Sequence, residues 1–344
     1  MAVYEKMSDW VRDMHADWSK RPLPILTFPA TKLLGINTRT LLTDADNQAK
    51  GVKAITDRYD MPVALAYMDL SVEAEAFGAN CVYSDDEIPT ITGMLISTPE
   101  EAEAMKVPEI GAGRTGVVHE GLRKMKELVK DRPLLAECIG PFSLAGRLMD
   151  VNEAMINCYE EPEMVHCILE KVTGFLIENM KLFKEDGAQG IVMAEPLAGI
   201  LSPNLAKEFS SDYVKRIADE VQDDNFIIIY HNCGNGAVQQ AKDIFSTGCV
   251  GYHFGNSIDL EDVLKVAPED VFVLGNIAPA EVIMGGTPES VKKDVLALME
   301  RCSKYKNFWL SSGCDVPPGT PIENVDAFFE AFEEFLKKDL DIPA

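Results

Sequence analysis

The chain has no apolar run long enough to cross a bilayer. Its strongest, at residues 226–230, falls far short of the roughly 20 residues a spanning helix needs. Positive charge is also scarce: 32 Lys and Arg stand against 56 Asp and Glu, a formal net charge of −24. Such a field repels phosphate backbones and argues against nucleic-acid partners, although a local Arg cluster could still hold a small anion. Residues 1–20 lack the apolar core of a secretory signal and carry instead an amphipathic pattern of Met7, Trp10, Val11, Met14 and Trp18. The expectation is a soluble, cytoplasmic protein with no membrane contact. Eight cysteines without an export signal argue against a disulfide framework, so most should be small buried hydrophobes. No GxGxxG directly follows the first strand, which weakens a dinucleotide-binding reading. No DxHxxG-type cobalamin motif occurs either.

What is present is one large core's worth of apolar residues, 47% of a 344-residue chain. Short apolar runs alternate with helical periodicity. Strands are predicted at 62–68, 134–139, 191–194, 226–230, 251–254, 271–275 and 308–311. Before, between and after them helices are predicted at 43–57, 144–149, 162–186, 204–221, 236–246, 260–266, 289–302 and 322–338. Strands of this length separated by helices indicate a parallel sheet covered on both faces. With no flexible linker interrupting the series, the expectation is α/β: a single (β/α)8 TIM barrel spanning 1–344, with residues 1–60 as an N-terminal helical extension and 21–29 as a linker and apolar segment.

Barrel enzymes work at the C-terminal ends of their strands. The residues just past the predicted strands are Asp69, Glu137–Ser143, Glu195, His231, Cys233, His253 to Asn256, Asn276, and Cys314 with Asp315. His231 and Cys233 are two apart in an extended stretch, so they share a side. Cys314 arrives from a later strand end. One imidazole and two thiolates suit Zn²⁺, and three protein ligands leave the open position of a catalytic site. An isolated HxC is weak evidence. Its place at a strand end and the Gly-Cys-Asp turn of the third donor strengthen it. A thiol bound at the open position would be deprotonated and nucleophilic at neutral pH, which favours alkyl transfer involving sulfur. Hydrolysis would instead need a general base.

Glu195 is the candidate for that base, for a displaceable fourth ligand, or for a group orienting His231; the plain alternative is a rim carboxylate paired with an Arg. His253 is a candidate proton-handling residue or a structural histidine. Asp69, Arg114 and Asn276 are candidates for binding cofactor or substrate at the rim. For Arg114, in GAGRTG, anion binding and loop ordering are equally compatible. Glu73 and Glu75 read as solvated or capping, and His166 and Cys167 as packing residues.

At these residues the sequence resembles the uroporphyrinogen decarboxylase superfamily, and within it the corrinoid-dependent methyltransferases of the methylcobalamin:coenzyme M type. The likeness is carried by DLSVEAEAFGANCVY (69–83), ECIGPFSLAGRL (137–148), DGAQGIVMAEPLAGILSP (186–203), YHNCGN (230–235), LGNIAPAEVIMGGTPE (274–289) and SSGCDVPPGTPIENVDAF (311–328). It covers nearly everything from residue 62 onward. The resemblance implies a (β/α)8 barrel with zinc on His231, Cys233 and Cys314. It further implies methyl transfer between a corrinoid, carried on a separate protein or free, and a small thiol or methylated small molecule, in either direction. The decarboxylase proper binds its tetrapyrrole carboxylates with an Arg-rich N-terminal segment. The comparable stretch here, RPLPILTFPATKLLG, holds only Arg21, which argues against that decarboxylation. Three classes stay open: the methyltransferase, including a substrate:corrinoid O-demethylase component; a zinc hydrolase or lyase on the same barrel; and a non-catalytic subunit. A homo-oligomer is compatible with the sequence.

Overall fold

The computed structural model describes residues 4–17 and 21–339; Trp18 of the N-terminal pattern lies outside them. Seven strands form one parallel sheet: β1 (Ala64–Leu65), β4 (Leu134–Ile139), β5 (Gly190–Ala194), β6 (Ile227–Asn232), β7 (Gly251–Phe254), β8 (Phe272–Ile277) and β9 (Phe308–Ser312). A short antiparallel hairpin, β2 (Asn80–Val82) and β3 (Thr90–Thr92), stands apart from it and was not foreseen. Each sheet strand pairs with the next in sequence, as helical crossovers require: Glu137 with Val192, Val192 with Ile229, His231 with His253, and Asn276 with Ser311.

The predicted linker at 21–29 turns out to be part of the wall. Leu23 N donates to Leu310 O at 2.9 Å, Val316 N donates to Ile25 O at 2.9 Å, and Ile25 N donates to Ser312 Oγ at 3.0 Å. Pro22 and Pro24 have no N–H to give, so this stave is tied at alternate residues and partly by side chains rather than by a regular ladder. Its proline content is what made it read as a linker. The result is the (β/α) barrel architecture expected from the alternation.

Alternation along the strands divides the apolar side chains into two cores. One lies between the sheet and the surrounding helices. The other fills the barrel itself, with Leu23, Leu65, Leu135, Ile229, Leu274 and Trp309 among its members. The helix Met7–Ala16 plugs the floor: Met7 and Trp10 are fully buried, and the Trp10 ring meets Phe272 and Trp309 at centroid distances of 5.8 and 6.0 Å. With the floor closed by apolar packing, polar inward-facing residues collect at the opposite, C-terminal mouth. Among the described residues no helix is long and apolar enough to cross a membrane.

The helix expected at 204–221 is interrupted. It runs as Pro203–Ala206, a π-helical turn Lys207–Ser211, and Asp212–Val221. The turn brings Ser210 to the carboxylate of Glu195, an arrangement typical of π-bulges near functional sites.

Glu73 departs from its expected solvated role. It is 2% exposed, and its Oε2 has no hydrogen-bond partner. Burial raises its pKa to about 8, with the neighbouring Asp69 charge adding to the rise. In the unfolded chain the group ionises near the ordinary carboxylate value of about 4.3. A raised folded pKa therefore gives a contribution that is complete at low pH and lost as pH climbs toward 8. Glu73→Gln mimics the neutral acid and escapes this loss. We expect the stability of the variant relative to wild type to improve between pH 5 and pH 8, by on the order of 1.4 kcal/mol per pH unit at the steepest. Denaturant titrations at the two pH values check it, and parallel pH dependence in both proteins would contradict it.

Candidate metal centre

Strand β6 carries Ile227 and Ile229 into the barrel core, so its alternation continues inward with His231, and Cys233 follows just past the strand end. Cys314 enters from the turn after β9. The ligand atoms of His231, Cys233 and Cys314 all lie within 4.8 Å of one another. Cys314 Sγ is 3.6 Å from His231 Nε2. A tetrahedral zinc bonded to nitrogen at about 2.05 Å and to sulfur at about 2.3 Å sets an N···S edge of about 3.6 Å. The donor set and its spacing therefore fit that ion without rearrangement of this pair.

Two close approaches hold the loop in place. A Cβ on Gly255 would come within 2.5 Å of the Cys233 Cα, and one on Gly234 within 2.3 Å of the Gly199 Cα. Only glycine allows the strand ends to crowd in this way.

Hydrogen bonds fix the imidazole. Ser311 Oγ donates its single proton to Leu23 O at 2.7 Å. It can therefore only accept from His253 Nε2, 2.8 Å away. His253 Nδ1 is then an acceptor, and it takes the proton of His231 Nδ1 at 2.7 Å. This chain leaves the Nε2 lone pair of His231 facing Cys314, the tautomer a metal ligand needs. Burial, followed by the His231 charge, depresses the His253 pKa well below its usual value, so this histidine stays neutral. The two thiols are linked as well. A hydrogen bond from Cys314 lowers the Cys233 pKa, while Cys233 and then burial push Cys314 up to about 12. Of the two thiols, Cys233 is thus the one that gives up its proton more readily.

The other sequence candidates go elsewhere. Glu195, fully buried, accepts from the Phe142 and Ser143 backbone N–H groups at 2.7 and 2.8 Å and from Ser210 Oγ at 2.8 Å. It caps the helix Pro141–Met149, satisfying orphan donors at the positive end of the helix dipole. Burial raises its pKa and these hydrogen bonds oppose the rise. Its link to the centre runs through its own backbone N–H, which donates to His231 O at 2.8 Å. Arg114 is held in an ion-pair cage, with Nη1 on Asp69, Nε on Glu75 at 2.5 Å and Nη2 on Ser71 Oγ at 2.6 Å. Asp69 is accordingly occupied too. Asn276 braces a loop by donating to Gly255 O at 2.9 Å and Ile258 O at 3.0 Å. All three rim side chains are thus committed to protein partners.

Two acids that the sequence placed on the rim without a role prove to be unusual. Glu137 faces the barrel one step above Leu135, is 4% exposed, and has no partner for either carboxylate oxygen. Asp315 accepts from Thr27 Oγ1 at 2.9 Å, but its Oδ1 is unpartnered. Their position at strand ends was legible in the sequence; their lack of partners was not.

Residues 26–335 match the uroporphyrinogen decarboxylase (URO-D) family profile. The chain belongs to the uroporphyrinogen decarboxylase family. Among its relatives in that family, a methylcobamide:CoM methyltransferase of Methanosarcina acetivorans is 25% identical, with 78% of each chain covered. A uroporphyrinogen decarboxylase of Pseudoalteromonas translucida is 23% identical, over 82% of this chain and 81% of the other. A solved methyltransferase from Methanosarcina mazei superposes with a TM-score of 0.82 at 24% identity, covering 92% of this chain and 94% of the other, which bears out the fold. The chain is thus an enzyme-family member standing at similar distance from methyltransferases and decarboxylases, and the choice between them rests on the site.

Proposed function

We propose that this family member is a zinc-dependent methyltransferase, moving a methyl group between a corrinoid on a separate protein and a small thiol or methylated small molecule. The observation that carries the reading is the convergence of one imidazole and two cysteine sulfurs at the barrel mouth, with the imidazole tautomer set by His253 and Ser311. Bound there, zinc would supply a soft Lewis acid with one open position that keeps a thiol ionised at neutral pH. The protein's own part is to gather three donors within 4.8 Å of one another and to turn the Nε2 lone pair of His231 toward Cys314. The apolar floor under the mouth keeps water out from below. The similarity to a methylcobamide:CoM methyltransferase supports the same assignment.

Decarboxylation of a tetrapyrrole fits less well. Arg21, the single arginine in the N-terminal stretch, pairs with Asp60 at 3.2 Å, and Arg114 is spent on Asp69 and Glu75. The base that the sequence offered for a hydrolase, Glu195, has its oxygens engaged by a helix N-terminus and Ser210.

The test is optical. Zinc-loaded protein incubated with methylcobalamin and a panel of small thiols should convert the methyl-Co(III) spectrum to that of Co(I) in a thiol-dependent way. Full zinc content without demethylation for any thiol would overturn the assignment and favour a hydrolase or lyase.

A further inference from the structure

The N-terminal stave does more than close the barrel wall. Leu23 and Ile25 point into the barrel core, so Thr27 continues the same inward face into the mouth, as His231 does after Ile227 and Ile229 on β6. Thr27 is 1% exposed, and its hydroxyl donates to Asp315 Oδ2 at 2.9 Å. Asp315 follows Cys314 directly in the chain. Ile25 grips the same turn from both sides: its N–H donates to Ser312 Oγ at 3.0 Å, and its carbonyl accepts from Val316 N at 2.9 Å. Cys314 is therefore flanked by contacts at 312, 315 and 316, all from one segment. Leu23 reaches the other side of the centre. Its carbonyl takes the Ser311 proton at 2.7 Å and so ends the chain that runs through His253 to His231 Nδ1, with steps of 2.8 and 2.7 Å. Closing a barrel needs only a backbone ladder. Here the hydroxyls of Thr27, Ser311 and Ser312 are all buried, and each is spent between this stave and the chain around Cys314.

Resting on the metal centre of the methyltransferase reading above, we infer that residues 23–27 are a positioning element for the metal. Thr27 places Cys314 through Asp315, and the Leu23 carbonyl places His231 through Ser311 and His253. Neither residue is itself a ligand. The Thr27 bond needs no particular charge on Asp315, because a carboxylate and a neutral carboxyl both offer an acceptor oxygen. Partners that orient ligands in this way typically change metal affinity about tenfold to a hundredfold. Such coupling is reciprocal: a segment that helps to hold the ion is itself held by the ion. Metal binding therefore tightens residues 23–27 against β9 and the Cys314 turn.

The experiment compares full-length wild type, Thr27→Val and Thr27→Ser. Valine keeps the shape of threonine and removes the donor; serine keeps the donor. Zinc affinity is read by competition with a chelator, and ligand geometry by the sulfur-to-cobalt charge-transfer band of Co²⁺-loaded protein. Thr27→Val is expected to bind zinc about tenfold or more weakly with a shifted or weaker band, while Thr27→Ser stays within about twofold of wild type in affinity and keeps the band. Wild-type affinity with an unchanged band in Thr27→Val overturns the inference, since a threonine that only stabilises the fold would move the unfolding midpoint and neither of these. Amide hydrogen exchange of wild type decides independently of any variant. Added zinc should slow exchange at Leu23, Ile25 and Val316 by about tenfold or more beyond any slowing in the helix Pro162–Glu185. No such excess overturns the inference while leaving the metal assignment intact. A wild type that takes up neither zinc nor Co²⁺ overturns the metal reading beneath it.

Discussion

Cys233→Ser is expected to leave the protein folded but almost metal-free, with zinc falling from about one ion per chain to below about a tenth, and thiol-dependent demethylation falling about a thousandfold or more. The serine hydroxyl matches the thiol in size but does not ionise near neutral pH, so the site loses an anionic soft donor and keeps only His231 and Cys314. The loss should be steep because Cys233 carries the lowered thiol pKa of the pair and is the donor most ready to bind. The same substitution at Cys249, which is buried beside Thr247 and outside the cluster, should retain full metal content. Metal analysis of the two variants beside wild type checks this. Stoichiometric zinc in Cys233→Ser would remove that residue from the ligand set.

Glu195→Ala is expected to act mainly on stability. The carboxylate accepts two backbone N–H groups and one hydroxyl at the buried N-terminus of the helix Pro141–Met149. Truncation leaves those donors without partners, at a cost of about 3–5 kcal/mol by analogy with breaking a buried charged pair. Because the Glu195 backbone remains in place, its N–H still reaches His231 O, so the folded fraction should bind zinc close to normally. Denaturant unfolding together with metal analysis separates the two effects. A stable variant that has lost its zinc would place Glu195 among the ligands instead.

Much of this was written in the order of residues. FIIIYHNC and VFVLGN announce buried strands with polar ends, because a parallel strand covered on both faces must be apolar throughout. The three positions proposed as ligands were read from strand ends and from the pairing of HxC with a late Gly-Cys, and the fold brings them together. What stayed hidden depends on partners that only folding supplies. Arg114 reads as a free anion binder until Asp69 and Glu75, distant in sequence, close on it. Glu195 sits at the right strand end for catalysis, yet the helix after the neighbouring strand claims its oxygens. The chain from Ser311 through His253 to His231 joins three strands, and no local pattern encodes it. Residues 21–29 looked like a linker and apolar segment because proline weakens the strand signal, although two backbone N–H groups suffice to seat them against β9.

The central claim is that one nitrogen and two sulfurs share an ion at the barrel mouth. Zinc-edge X-ray absorption of the purified protein tests it most directly. The account predicts a shell of two sulfurs near 2.3 Å and one imidazole nitrogen near 2.0–2.1 Å, completed by a light atom that a third sulfur replaces when a small thiol is added. A shell of nitrogen and oxygen alone, or two sulfurs that stay two in the presence of thiol, would contradict it.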